Sequence, residues 1–94
     1  LTIAHGRVIR SEAETRDKAM EWLRFVGMAD FAAVSAGALS YGQTKLVSLA
    51  RVLATEADVL LLDEPASGID TRWVDTMLDL IEQVRDQGRT VCVV

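Results

Sequence analysis

An α/β fold, with a helical part ahead of a parallel sheet, is what this sequence predicts. Three observations point to it. Residues 41–54 carry a clear amphipathic pattern, Val59–Leu62 is a wholly apolar run, and Val91–Val94 is another, with one more amphipathic stretch between them. Apolar runs of this length are too short for helices and suit buried parallel strands. Strand, helix and strand within residues 58–94 make a βαβ unit, which implies a parallel pair and a right-handed crossover.

Taken in order, residues 1–10 show little periodicity and read as loop or frayed end. Ser11-Glu12-Ala13-Glu14 is a capping-box pattern, a serine with a glutamate three residues on. Ala19, Met20, Leu23 and Val26 mark one face of the helix that follows, and Gly27 is a natural stop. The stretch 28–38 reads as a shorter helical or loop segment broken at Gly37. Ser40-Tyr41-Gly42-Gln43 is a second capping box, after which Leu46, Leu49, Ala50 and Leu53 recur at helical spacing. Thr55–Asp58 is a turn. Pro65 and Gly68 break the chain after the first strand, and Asp70 or Thr71 can cap a helix over 71–87. Its core stripe is expected at Val74, Met77, Leu78, Ile81 and Val84, and Gly88 ends it. The expected division is a helical portion over 1–57 and an α/β portion over 58–94.

Composition narrows the function classes. Of 94 residues, 50% are apolar and 26% charged, the balance of an ordinary globular domain. No run approaches the ~20 apolar residues of a membrane span, and the first residues lack the apolar centre of a signal peptide. A net charge of −4 with scattered basic residues argues against a nucleic-acid surface, which needs clustered Lys and Arg. The one cysteine, Cys92, lies in an apolar run and is expected to be a buried structural thiol. The sole histidine, His5, is expected to be a solvated loop residue. Opening on Leu1 and stopping at Val94 within what reads as a strand, the sequence looks like a piece of a longer protein.

Residues 59–65, Val-Leu-Leu-Leu-Asp-Glu-Pro, carry the strongest chemical signal. In open α/β sheets, ligands bind beyond the carboxyl ends of the strands. Asp63 and Glu64 leave the strand there as neighbours, so their carboxylates point in different directions and can do different work. One can hold a hydrated Mg²⁺, which binds through few carboxylates. The other can orient or deprotonate a water for attack on a phosphoryl group. Two acids that merely solvate a strand end are the plain alternative.

The neighbouring segments weigh against that alternative. Leu39-Ser40-Tyr41-Gly42-Gln43 lies one helix ahead of the acids, and Ala66-Ser67-Gly68-Ile69-Asp70 follows them directly. Together the three resemble the nucleotide-binding domain of ATP-binding-cassette (ABC) proteins, a branch of the P-loop NTPases. The first looks like the family's LSGGQ signature, the second like the Walker B strand with its catalytic glutamate, the third like the D-loop. The resemblance implies that Ser40, Gly42 and Gln43 face the γ-phosphate of an ATP held mainly by the opposite subunit. A helix N-terminus suits that task, because its free N–H groups and partial positive charge form an anion site. Gly42 then keeps side-chain bulk away from the phosphate. The resemblance further implies Glu64 as the base, Asp63 as a Mg²⁺ holder through water, and Ser67, Gly68 and Asp70 at a dimer interface. Tyr41 departs from the commonest signature, and its side chain must point away from the phosphate.

The resemblance covers about residues 11–94, the back half of such a domain. No G-x-x-x-x-G-K-[ST] loop occurs, and neither the upstream Q-loop glutamine nor a switch histidine is present. The fragment therefore carries half of each of two composite sites and is expected to be inactive alone. With the helix around Arg16–Ala33, the motifs most resemble ATPase subunits of branched-chain amino acid importers. This implies ATP and Mg²⁺ as cofactors, a homo- or heterodimer with a second ATPase subunit, and membrane permease partners from the cytoplasmic side. The alternatives are an exporter ATPase for lipid, polysaccharide or drug, a chromosome-maintenance relative, and a degenerate cassette that dimerises without turnover. Trp22 is expected in the core, and Trp73, off the expected stripe, at a surface that could anchor a partner.

Overall fold

The computed structural model describes residues 11–94. The expectations for residues 1–10, His5 included, lie outside the described residues. Helix α1 (Glu12–Phe25) begins as its capping box requires: Ser11 Oγ accepts the Glu14 N–H at 3.1 Å. It ends on Gly27 at φ 79°, where the N–H groups of Gly27 and Met28 donate back to the carbonyls of Arg24 and Leu23. That pair of bonds closes the last turn, and the left-handed residue it needs favours glycine. Residues 28–38 fold as two short 3-10 turns, Ala29–Phe31 and Ala36–Ala38, with Gly37 inside the second. Helix α2 (Tyr41–Leu53) follows, then strand β1 (Val59–Leu62), helix α3 (Thr71–Asp86) and strand β2 (Thr90–Val93).

β1 and β2 pair in parallel, with Val59 opposite Thr90 and Leu62 opposite Val93. The ladder runs on past the strands, since the Val94 N–H donates to Leu62 O and the Glu64 N–H to Val94 O, each at 2.9 Å. One core joins the elements. Val26 and Met28 from the end of α1 meet Leu46, Leu49, Ala50 and Leu53 of α2, Leu60 and Leu62 of β1, and the buried face of α3. Arg89, at the start of β2, adds a polar tie. Its Nη2 donates to Leu53 O at 3.2 Å, and its guanidinium lies 5.4 Å from the centre of the Trp22 ring. Trp22 thus packs against the core, as expected.

Five expectations need correction. Ala19 is exposed, and α1 buries no residue outright, touching the core through Trp22, Leu23 and Phe25. The buried stripe of α3 is Met77, Leu80, Ile81 and Val84, while Leu78 is 46% exposed. Trp73 stands one turn ahead of Met77 on that same stripe and is half-buried against the core, where a surface position was expected. The strands are covered on one face only: Leu60 and Leu62 are buried, but Val59 and Leu61 are 64% and 68% exposed. Cys92 pairs with Leu61 on that open face, so its thiol is exposed rather than buried. Among the described residues, the helices cover only the Leu60 and Leu62 face of this two-stranded sheet.

Candidate functional site

The start of α2 is built by reciprocal capping. Ser40 Oγ accepts the Gln43 N–H at 3.2 Å, and Gln43 Oε1 accepts the Ser40 N–H at 2.9 Å. Thr44 begins the helical ladder by donating to Ser40 O at 2.9 Å. The first N–H groups of a helix have no acceptor within it; after capping, those of Tyr41 and Gly42 remain in that position. They add to the positive end of the helix dipole and make this terminus suited to an anion. Ser40 itself is exposed and Gln43 half-buried.

Gly42 is buried, and what occupies its missing side chain is Trp73. A Cβ on Gly42 would lie 2.8 Å from Trp73 Cδ1 and 3.0 Å from Cγ. The glycine is therefore required by intrachain packing, which the sequence reading assigned only to phosphate approach. A second contact of the same kind joins Tyr41 to Gly68. The latter has φ 73°, and a Cβ there would lie 3.3 Å from Tyr41 Cε2. Tyr41 accordingly points along the surface to the loop after β1.

At the end of β1, Asp63 and Glu64 are both exposed. Glu64 has φ 44°, a left-handed conformation that costs a residue with a Cβ about 1–3 kcal/mol. Pro65 does not relieve it, because a proline steers the residue before it toward extended backbone rather than the left-handed region. Glu64 O accepts the Ser67 N–H at 3.1 Å, closing a tight turn over Glu64-Pro65-Ala66-Ser67. The same carbonyl accepts Lys45 Nζ at 3.3 Å, and that ammonium lies 5.5 Å from the centre of the Tyr41 ring. Asp70 caps α3: Oδ1 accepts the Arg72 N–H at 3.0 Å and Oδ2 accepts Arg72 Nη2 at 3.3 Å. The backbone bond first, and the guanidinium second, hold the Asp70 carboxyl below its ordinary value.

The eight expected site residues thus fall on two adjoining pieces, the start of α2 and the loop from β1 to α3. Tyr41, Gly68, Lys45 and Trp73 join the two. Beside them, along α2 and the end of β1, runs a cleft of about 290 Å³ whose lining mixes Tyr41, Thr44, Lys45 and Asp63 with the apolar Leu49, Val52, Leu61 and Met77; of the eight expected site residues only Asp63 reaches it. Lys45 escaped the sequence reading, although its place one turn beyond Tyr41, at an i, i+4 spacing, was a signal for an aromatic–cation pair. Among the described residues, no three acid, histidine or cysteine side chains gather around one point. A magnesium ion that keeps most of its waters needs only one or two carboxylates, and exposed Asp63 fits that demand.

A family model for "ABC transporter" matches residues 2–67, which include the Ser40–Gln43 and Asp63–Glu64 segments. Among curated relatives, the manganese transport system ATP-binding protein MntA of Synechocystis is 43% identical over 81 residues, 86% of this chain and 31% of its own length. The high-affinity branched-chain amino acid transport ATP-binding protein BraF of Pseudomonas aeruginosa is 40% identical over 78 residues, 83% of this chain and 31% of its own. The chain spans about a third of the length of these relatives. Among solved structures, the ADP conformation of MJ1267, an ATP-binding cassette of an ABC transporter, superposes with a TM-score of 0.81 at 29% identity, covering 90% of this chain and 34% of that one. The dimeric cassette MJ0796 gives 0.78 at 31% identity, covering 90% and 38%. Motifs, geometry and these likenesses agree, and the chain belongs to the ABC transporter ATP-binding family, its α/β fold being part of a P-loop ATPase cassette.

Proposed function

We propose that this chain is the signature-and-Walker-B part of an ATP-hydrolysing subunit that energises an ABC transporter. The observation that carries the reading is the junction of the α2 terminus with the loop after β1, through Tyr41 on Gly68. It keeps an anion-binding helix end and an acidic strand end in fixed relation on one chain. In the proposed dimer each chain lends these ends to different nucleotides. Ser40 and the backbone N–H groups of Tyr41 and Gly42 hold the γ-phosphate bound by the partner subunit, and Gln43 releases its cap to assist. Glu64 orients the attacking water and takes its proton at the carboxylate. Asp63 holds the ion's water shell; Mg²⁺, when bound, neutralises charge on the phosphate oxygens. Ser67, Gly68 and Asp70 line the dimer interface.

The separate 94-residue chain, with no G-x-x-x-x-G-K-[ST] loop, is proposed to be inactive. The subunit works at the cytoplasmic face of a membrane through permease partners, a reading supported by its likeness to ATP-binding proteins of transport systems. For the substrate we favour branched-chain amino acids, on the bulky Tyr41 in the signature and the likeness to BraF. Manganese, named for the relative MntA, is the rival. Glu64→Gln in the full-length subunit tests the central assignment. Turnover should fall by about two orders of magnitude or more while ATP binding persists and an ATP-bound dimer accumulates. Turnover at the wild-type rate would remove Glu64 from the role of base.

A further inference from the structure

We infer that Lys45 is a positioning residue for Glu64, acting through the glutamate's backbone carbonyl and seated there by Tyr41. The inference rests on the reading of Glu64 as the base. A glutamate at φ 44° holds its place only under restraint from its surroundings, and three hydrogen bonds restrain it. Two are local to the sheet and turn: the Glu64 N–H donates to Val94 O, and the Ser67 N–H donates to Glu64 O. The third comes from a different element, Lys45 Nζ on α2 donating to Glu64 O at 3.3 Å. That donor is charged, and charge-assisted bonds are the stronger kind.

The lysine is not free to wander. Its ammonium lies 5.5 Å from the centre of the Tyr41 ring, within the range of a cation–π attraction. The ring in turn rests against Gly68, three residues beyond Pro65, where no Cβ stands in its way. Tyr41, Lys45, Glu64 and Gly68 therefore close a ring of contacts that starts and ends on the same loop. The direction of the Glu64 side chain follows from the orientation of its peptide planes, and Lys45 fixes one of them. This gives the bulky signature residue Tyr41 a task of its own, which glycine in its place could not perform.

The test is steady-state ATPase kinetics on the full-length subunit with Lys45→Met and Lys45→Arg, run beside wild type and Glu64→Gln. Methionine keeps the apolar stem and removes the donor; arginine keeps a charged donor able to sit on the ring. Lys45→Met should lower kcat about tenfold with the KM for ATP within about twofold, and Lys45→Arg should restore most of the loss. Should Lys45→Met fail to fold by thermal melting, Lys45→Gln, which keeps a neutral donor, replaces it with a smaller fall expected. An unchanged kcat in the lysine variants, or a fall that arginine does not restore, overturns the inference while leaving the role of Glu64 intact. Wild-type turnover in Glu64→Gln would overturn the underlying reading instead.

Discussion

Gly42 shows how one residue can answer to two demands. Its lack of a side chain makes room for Trp73, and in the proposed site its backbone N–H, one of the first of α2, also meets the phosphate. Substitution separates the two. Gly42→Ala forces its methyl into the indole, an overpacking that costs about 1–3 kcal/mol. Trp73→Leu removes the flat ring, and the pair Gly42→Ala/Trp73→Leu should melt closer to wild type than the sum of the single changes, as contacting residues do not add. Urea titration of the four proteins checks this, and strict additivity would mean that Trp73 is not what excludes a side chain at 42. The proposed phosphate role is separate from the packing, so the stable double variant should still turn over ATP slowly.

At the scale of elements, what the sequence revealed depended on how many patterns could fit it. α2 was legible in full, because its capping box and its stripe of Leu46, Leu49, Ala50 and Leu53 admit one phase, and both were found. α3 was legible in extent but not in rotation. Val74-Met77-Leu78-Ile81 and Trp73-Met77-Leu80-Ile81 both satisfy helical spacing, and only the packing of Trp73 over Gly42 selects the second. The Lys45–Glu64 contact was illegible for a different reason: it spans 19 residues and depends on a turn held by a left-handed glutamate. Half-covered strands could not be foreseen either, since an apolar run does not say how many of its faces are packed.

The cap of α3 carries a pH signature at this same scale. Asp70 is held below its ordinary value of 3.8 by the Arg72 N–H and guanidinium. A depressed carboxyl stabilises the fold above its unfolded value, and that stabilisation is lost as pH falls through the folded value. The contribution is therefore whole above about 3.8 and disappears below it. Asp70→Asn, which still caps but cannot ionise, should flatten the acid limb of the melting profile between pH 5 and pH 2, the window in which such a carboxyl titrates (roughly). An acid limb identical to wild type would show that Asp70 contributes nothing to it.

Across the described residues taken together, the chain presents a one-sided sheet. Val59 and Leu61 stand exposed beside Cys92, on a pair of strands whose outer edges have no partner among the described residues. Apolar surface next to open strand edges promotes association. The separate chain should therefore self-associate, and Leu61→Lys should shift it toward monomer in sedimentation; a wild-type chain that stays monomeric at high concentration would contradict this. The central claim is larger: each chain supplies a signature end to one nucleotide and an acidic end to another. Mixing full-length Ser40→Ala subunits with Glu64→Gln subunits tests it most directly, because a mixed dimer then holds one undamaged composite site. The account predicts ATP turnover in the mixture well above that of either variant alone. No recovery, in a mixture shown to exchange subunits, would contradict it.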